Sequence, residues 1–141
     1  MNNSPPRGSP LRSAGAILAG IVVIFITSMG TDAALHASGV YPPWMQPMDT
    51  HLWIVALAYR IPYGILAAWV TAVIGRARPM WHAMLFGWIG VVLSTIGVAM
   101  HWNKGPEFGP VWFNLGLVAI SLPCAWIGGL LRQRQLQAQP A

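Results

Sequence analysis

Charged residues and cysteines are scarce in this chain, and each shortage excludes a class of protein. Among its 141 residues only three are acidic and eight are basic, so that 8% carry a charge. Cys124 is the only cysteine, which excludes an intrachain disulfide and a dithiol relay. The sequence also lacks a Gly-rich phosphate loop, a Ser/His/Asp set and paired carboxylates within its apolar stretches. We therefore predict that the protein is not an enzyme and that it holds no cofactor or metal ion.

Apolar residues dominate what is present, at 55% of the chain. A soluble domain of this length cannot hide so much apolar surface. Four apolar runs, at about 14–35, 52–75, 81–100 and 110–131, are each long enough to cross a bilayer. The sequence predicts an all-α polytopic membrane four-helix bundle over 14–131. We expect residues 1–13 to be a disordered cytoplasmic tail and residues 132–141 to be a second cytoplasmic tail.

The basic residues predict how the bundle is oriented. Six arginines precede the first run, join the second to the third, or follow the fourth: Arg7, Arg12, Arg76, Arg78, Arg132 and Arg134. The opposite side has only Lys104 as a basic residue. By the positive-inside rule both chain ends are cytoplasmic, as in a multi-pass protein of the cell inner membrane. The high isoelectric point, about 10.4, then reflects topology, and we expect the bilayer and not nucleic acid as the partner.

Arg60 is the only charged residue in the second apolar run. It lies roughly 12 Å below the nearer end of that run at the usual helical rise. An arginine at such depth costs on the order of 3 kcal/mol unless the protein receives it. Asp32 is the predicted partner, because it is the only carboxylate placed at the end of a span and not in a loop.

Further polar residues fall on inward-facing helical stripes in the same half of the membrane. The candidate site residues are Asp32, His36, Arg60, Tyr63, His101 and Asn114. Together they predict a polar pocket near the outer leaflet that is open to the outside. The third span carries a different stripe, made of small residues: Ala83, Gly87, Gly90, Ser94 and Gly97. This second pattern predicts that the third helix packs closely against its neighbours.

Two interpretations of the pair formed by Asp32 and Arg60 remain open. In one the pair is structural and orients the first two helices; in the other Arg60 binds an anionic or carbonyl-bearing substrate. A weaker hypothesis uses His36 and His101 to hold haem, or a divalent ion with Asp32 or Glu107. No diagnostic ligand spacing supports that hypothesis. The other two histidines, His51 and His82, are interpreted as interfacial residues without chemistry.

Four segments carry a resemblance to a known family. They are GTDAALHASGVYPPW from Gly30, AYRIPYG around Arg60, RPMWHA from Arg78, and WNKGPEFGPVW from Trp102. These segments resemble a family of small, uncharacterised bacterial four-helix integral membrane proteins. The resemblance implies that Asp32, His36, Arg60 and the outer loops belong to a shared pattern, and it implies no activity.

The sequence therefore favours an accessory or structural membrane protein, alone as a homo-oligomer or within a larger membrane complex. The alternative is a small transporter or channel-like protein that uses Arg60 and Asp32. The third and weakest interpretation is the haem- or metal-binding redox module.

Overall fold

Four long helices make up nearly all of the chain in the computed structural model, which describes residues 9–140. They are α1 (Pro10–Ala37), α2 (Thr50–Ile74), α3 (Pro79–His101) and α4 (Val111–Gln137), and a 3₁₀ turn, Pro106–Phe108, precedes α4. No strand occurs between residues 9 and 140. All four helices are long and apolar enough to cross a membrane. The predicted all-α four-helix fold is confirmed.

The start of α1 corrects the predicted disordered tail at residues 10–13. Pro10 occupies the first turn of the helix, where its missing N–H costs nothing. Arg12 Nε donates to the carbonyl of Ile74 at 3.0 Å, and Ser13 Oγ lies 2.9 Å from His82 Nε2. These contacts with α2 and α3 extend the helix beyond the apolar run. The rest of the predicted tail, residues 1–8, lies outside the described residues.

The far end of α4 also continues past the apolar run that predicts it. The helix reaches Gln137, so residues 132–137 of the predicted second tail are helical. Trp69 Nε1 donates to Gln135 Oε1 at 2.9 Å, which ties this extension to α2. A side-chain contact with a neighbouring helix is not visible in a hydropathy pattern.

The four helices alternate in direction, so residues 9 and 140 lie at the same end of the bundle. We call this end, with the short 75–78 connection, the terminus end; the opposite end, with the loops 38–49 and 102–110, is the loop end. Helix α2 contacts all three other helices, and α3 packs most extensively against α4. Helix α1 packs mainly on α2 and has only a short contact with α3.

Small residues bring the helices together in the half of the bundle near the terminus end. Ala68, Ala72, Ala83 and Ala125 form a buried cluster from three helices. A Cβ atom added to Gly128 would lie 2.6 Å from the carbonyl oxygen of Ile65, which is backbone and cannot move aside easily. One added to Gly87 would lie 2.5 Å from Ala125 Cβ. The part of the α3 stripe at Ala83 and Gly87 therefore packs closely, as predicted, whereas a Cβ atom at Gly97, farther along the stripe, would have nothing within 4 Å.

Candidate functional site

A polar network near the loop end surrounds Arg60. Arg60 Nη2 donates to Asp32 Oδ2 at 2.6 Å, and Nη1 donates to the Ala56 carbonyl at 2.8 Å and to the Tyr59 hydroxyl at 3.1 Å. The Tyr59 hydroxyl in turn donates to Asp32 Oδ1. Both oxygens of the carboxylate thus have a partner from α2. The predicted pair of Asp32 and Arg60 is confirmed, and it is the only ion pair within residues 9–140.

Aromatic rings complete the surroundings of the guanidinium. Arg60 Cζ lies 5.1 Å from the ring centroid of Tyr59 and 5.6 Å from that of Phe113 on α4. A cation over an aromatic face gains about 2 kcal/mol where water is excluded. The guanidinium is therefore surrounded by groups of α1, α2 and α4, which lower the cost of placing its charge within the membrane.

Tyr41 links this network to the loop 38–49. It is 3% exposed and packs with Ala56 and Phe113. Its hydroxyl lies 3.4 Å from both the Leu52 carbonyl and the Tyr59 hydroxyl, and it can donate to either. The loop is thereby fastened over the start of α2.

Sequence reasoning missed Tyr59 and Tyr41. Tyr59 precedes Arg60 and lies about 100° from it around the helix, so it falls outside the inward-facing stripe. Its long side chain nevertheless reaches Asp32 on α1. Tyr41 lies in a loop, where no periodicity exists to predict burial. The one available signal was a tyrosine directly beside the membrane-embedded arginine.

The structure places the remaining predicted site residues in separate contacts. Tyr63 is the nearest: its hydroxyl lies 2.8 Å from Thr31 Oγ1, and its ring centroid lies 5.8 Å from that of Tyr59. His36 is engaged with its own loop, because Nδ1 lies 2.6 Å from the Pro42 carbonyl and the ring stacks on Trp44.

His101 and Asn114 also make local contacts. His101 Nδ1 lies 2.8 Å from the Gly97 carbonyl one turn earlier, and its ring stacks on Phe108. Asn114 Nδ2 is 3.5 Å from the Pro110 carbonyl. Of the six candidate residues, then, the structure brings Asp32 and Arg60 into direct contact and sets Tyr63 beside them. In the part of the chain that the structure describes, no three His, Cys, Asp or Glu side chains gather as a metal site would require.

A cavity of about 340 Å³ lies between the four helices, and Arg60 is the only one of the six candidates that lines it. Most of its walls are apolar. Its polar lining residues are Ser28, Arg60, Ser94, Ser121 and Cys124. The cavity is therefore more apolar than the predicted polar pocket. His36 and His101 do not line it, because their side chains contact their own backbone and loops.

His82 differs from its sequence interpretation as an interfacial residue. Its side chain is buried, with 5% of its surface exposed. Nδ1 lies 2.8 Å from the Arg78 carbonyl, and Nε2 lies 2.9 Å from Ser13 Oγ. Gly75 leaves the space that the ring fills, since a Cβ atom there would overlap it. His82 therefore fastens α1 to α3 at the terminus end.

Fold and composition together define a multi-pass membrane protein built as a four-helix bundle. No protein-family model matches the chain, and no curated protein or solved structure matches it.

Proposed function

We propose that this chain is a non-enzymatic accessory protein of the cell inner membrane, acting as a small subunit within a larger membrane complex. The observation that carries the proposal is that groups of the protein itself satisfy the Arg60 side chain. Its charge is balanced by Asp32, and three of its hydrogen bonds go to groups inside the bundle. The ion pair of Asp32 and Arg60 is thus used to hold α1 against α2, and Tyr41 links the loop 38–49 to the same network through Tyr59.

The orientation belongs to the same proposal. The terminus end carries Arg12, Arg76, Arg78, Arg132 and Arg134. The positive-inside rule assigns that end to the cytoplasm. The loops 38–49 and 102–110 then face out, where they are available to a partner.

Extraction in native lipid tests the accessory role. The tagged full-length chain is taken from its own membranes with a lipid-encircling polymer, beside a tagged, unrelated four-helix protein as control. We expect a second protein at fixed stoichiometry with this chain and not with the control. A particle that contains only this chain, as a monomer or as a homo-oligomer, would contradict the proposal.

The cavity favours a second candidate, a small transporter or channel-like protein. Arg60 lines open space in the middle of the bundle, as a substrate-binding arginine would. Liposomes reconstituted with the chain separate the two candidates. The accessory role predicts no ion or dye flux above that of empty liposomes. A flux that depends on the protein, and that disappears in the double variant Asp32→Leu/Arg60→Leu, would favour transport.

A further inference from the structure

The cavity is shaped by the divergence of α1 and α3. The two parallel helices meet at the terminus end, through Ser13 and His82 and through the contact of Gly20 with Phe86. Beyond that point they share little contact, and the cavity fills the gap between them. Two of its lining residues, Phe25 on α1 and Leu93 on α3, are 61% and 57% exposed. The cavity therefore opens sideways, towards the acyl chains of the bilayer.

Of the serines that line this space, Ser28 and Ser94 make no side-chain hydrogen bond within the described residues, and only the Ser28 hydroxyl is also buried. Five hydroxyl groups in the helices donate to the carbonyl four residues earlier, namely those of Thr27, Thr31, Thr71, Thr95 and Ser121. Ser28 departs from this habit: its Oγ is buried and makes no hydrogen bond within the described residues. A buried hydroxyl without a partner destabilises the fold, because no hydrogen bond offsets the loss of its water. Ser28 also lines the cavity, so a rotation of its side chain would present the hydroxyl to a bound molecule.

Arg60 has donors to spare at the same cavity. A guanidinium carries five N–H donors, and the three bonds to Ala56, Tyr59 and Asp32 leave Nε–H and one Nη2 hydrogen without an acceptor in residues 9–140. Its charge, however, is already balanced by Asp32. An anion would bring a second negative charge beside that carboxylate, in surroundings where an unbalanced charge is very costly. An uncharged oxygen acceptor fits better.

We infer that the cavity binds an uncharged lipid-like molecule that enters from the bilayer between α1 and α3. Its alkyl chain lies against the apolar walls. Its carbonyl or ester oxygen accepts from Arg60 and from the Ser28 hydroxyl. The volume of about 340 Å³ is sufficient for a compact ligand, because small-molecule sites occupy roughly 300–1,000 Å³. The inference goes beyond the accessory role and stands whether or not a protein partner is found.

The thiol of Cys124 can report whether the cavity is occupied. This residue lines the cavity and is the only cysteine of the chain. Labelling with N-ethylmaleimide in lipid nanodiscs therefore reports whether the cavity is occupied. The probe is methyl decanoate, an uncharged ester; decane lacks the oxygen, and decyl sulfate carries a permanent negative charge. At ten times its apparent Kd, methyl decanoate is expected to slow labelling about tenfold. Decane and decyl sulfate at the same concentration should slow it far less.

Two matched variants test the location. Ser94→Phe fills the cavity and should abolish binding of methyl decanoate, whereas Thr95→Phe adds the same bulk on the exposed side of α3 and should leave it unchanged. Native mass spectrometry counts bound ester directly, so that the result does not depend on how fast a variant is labelled. Equal protection by methyl decanoate and decane would overturn the inference. Undiminished ester binding to Ser94→Phe would do so as well.

A third variant tests the polar contact. Ser28→Ala removes the unpartnered hydroxyl and leaves the cavity open. It should lower the affinity for methyl decanoate by roughly fivefold, the effect of losing one ordinary hydrogen bond, and leave the affinity for decane unchanged. An unchanged preference for the ester would mean that Ser28 takes no part in binding, and the proposed ligand geometry would be wrong.

Discussion

The two ends of the bundle are held together by different interactions. At the loop end, α1 is joined to α2 by an ion pair and by tyrosine hydroxyl groups around Asp32 and Arg60. At the terminus end, α2 approaches α4 so closely that Gly128 has no room for a Cβ atom. Lipid does not drive helices together, so membrane helices need either polar bonds or close packing. In this chain the ion pair lies at the loop end and the closest backbone approach lies at the terminus end, where hydrogen bonds of Arg12, Ser13 and Gln135 add to the packing.

The difference between ion pairing and close packing explains where the bundle tolerates open space. Hydrogen bonds and charges hold helices at fixed points and leave the backbones apart between those points. Close packing of small residues fills the volume between helices continuously. The cavity accordingly lies between α1 and α3, beyond their contact at Gly20 and Phe86. Variants at each end of the bundle test this division of roles.

Removing the charge of Arg60 should have the largest effect on stability. In Arg60→Leu, Asp32 is left unpaired inside the membrane, and the loss of one partner of a buried pair costs about 3 kcal/mol or more. Unfolding in mixed micelles, followed by helical circular dichroism, measures the change. The double variant Asp32→Leu/Arg60→Leu should lie within about 1 kcal/mol of the parent, because no charge is left unpaired. A single variant as stable as the parent would show that the pair does not hold the loop end.

Adding a methyl group at Gly128 should have the next largest effect on stability. The added methyl group of Gly128→Ala meets the backbone of α2 at Ile65 and Trp69, and such overpacking costs about 2 kcal/mol. Cys124 lies one turn earlier on α4, so opening of this interface should raise its maleimide labelling rate, by roughly thirtyfold.

Gly97→Ala is the matched control. Nothing lies within 4 Å of a Cβ atom at Gly97, so the same substitution should be neutral or stabilising by up to about 1 kcal/mol. Equal effects at the two glycines would mean that close packing does not distinguish the terminus end.

Removing the Tyr59 hydroxyl should have a smaller effect. Tyr59→Phe loses a hydrogen bond to a charged carboxylate, worth about 1.5 kcal/mol. Tyr63→Phe loses only a bond to the neutral hydroxyl of Thr31, worth about 1 kcal/mol or less. Thermal unfolding midpoints in detergent should therefore fall further for Tyr59→Phe. The reverse order would place the main link between α1 and α2 at Thr31 and Tyr63.

The smallest effect is expected at Ser13. Ser13→Ala removes the partner of His82 Nε2 at the terminus end, where close packing of other helices remains. The expected cost is about 1 kcal/mol, and it should appear as faster amide hydrogen exchange in the first turns of α1. Ser38→Ala is the control, because Ser38 is exposed and bonds only within its own helix end. If amide exchange is unchanged in Ser13→Ala, the contact between Ser13 and His82 does not stabilise α1.

The sequence predicts the parts of this structure that depend on periodicity and on charge. Span lengths follow from hydropathy, and the partner of Arg60 follows because a lone buried arginine needs a carboxylate and Asp32 alone stands at a span end. Tyr59 could not be predicted in this way, because its contact depends on the reach of a side chain from beside the inward stripe. The cavity could not be predicted either, because it depends on how far two helices diverge. The burial of His82 could not be predicted, because its ring occupies the space left by Gly75 and no sequence pattern links the two residues.

The contacts of Arg60 have a consequence for how the protein is made. Asp32 and Arg60 lie on α1 and α2, as do Thr31 and Tyr63, and Arg12 and Ile74. All three links thus belong to the first helical hairpin, so each can form without any residue of α3 or α4. An arginine that would resist entry into lipid by itself can cross the insertion machinery already neutralised by its neighbour. Helix α4 then adds the ring of Phe113 beside the guanidinium.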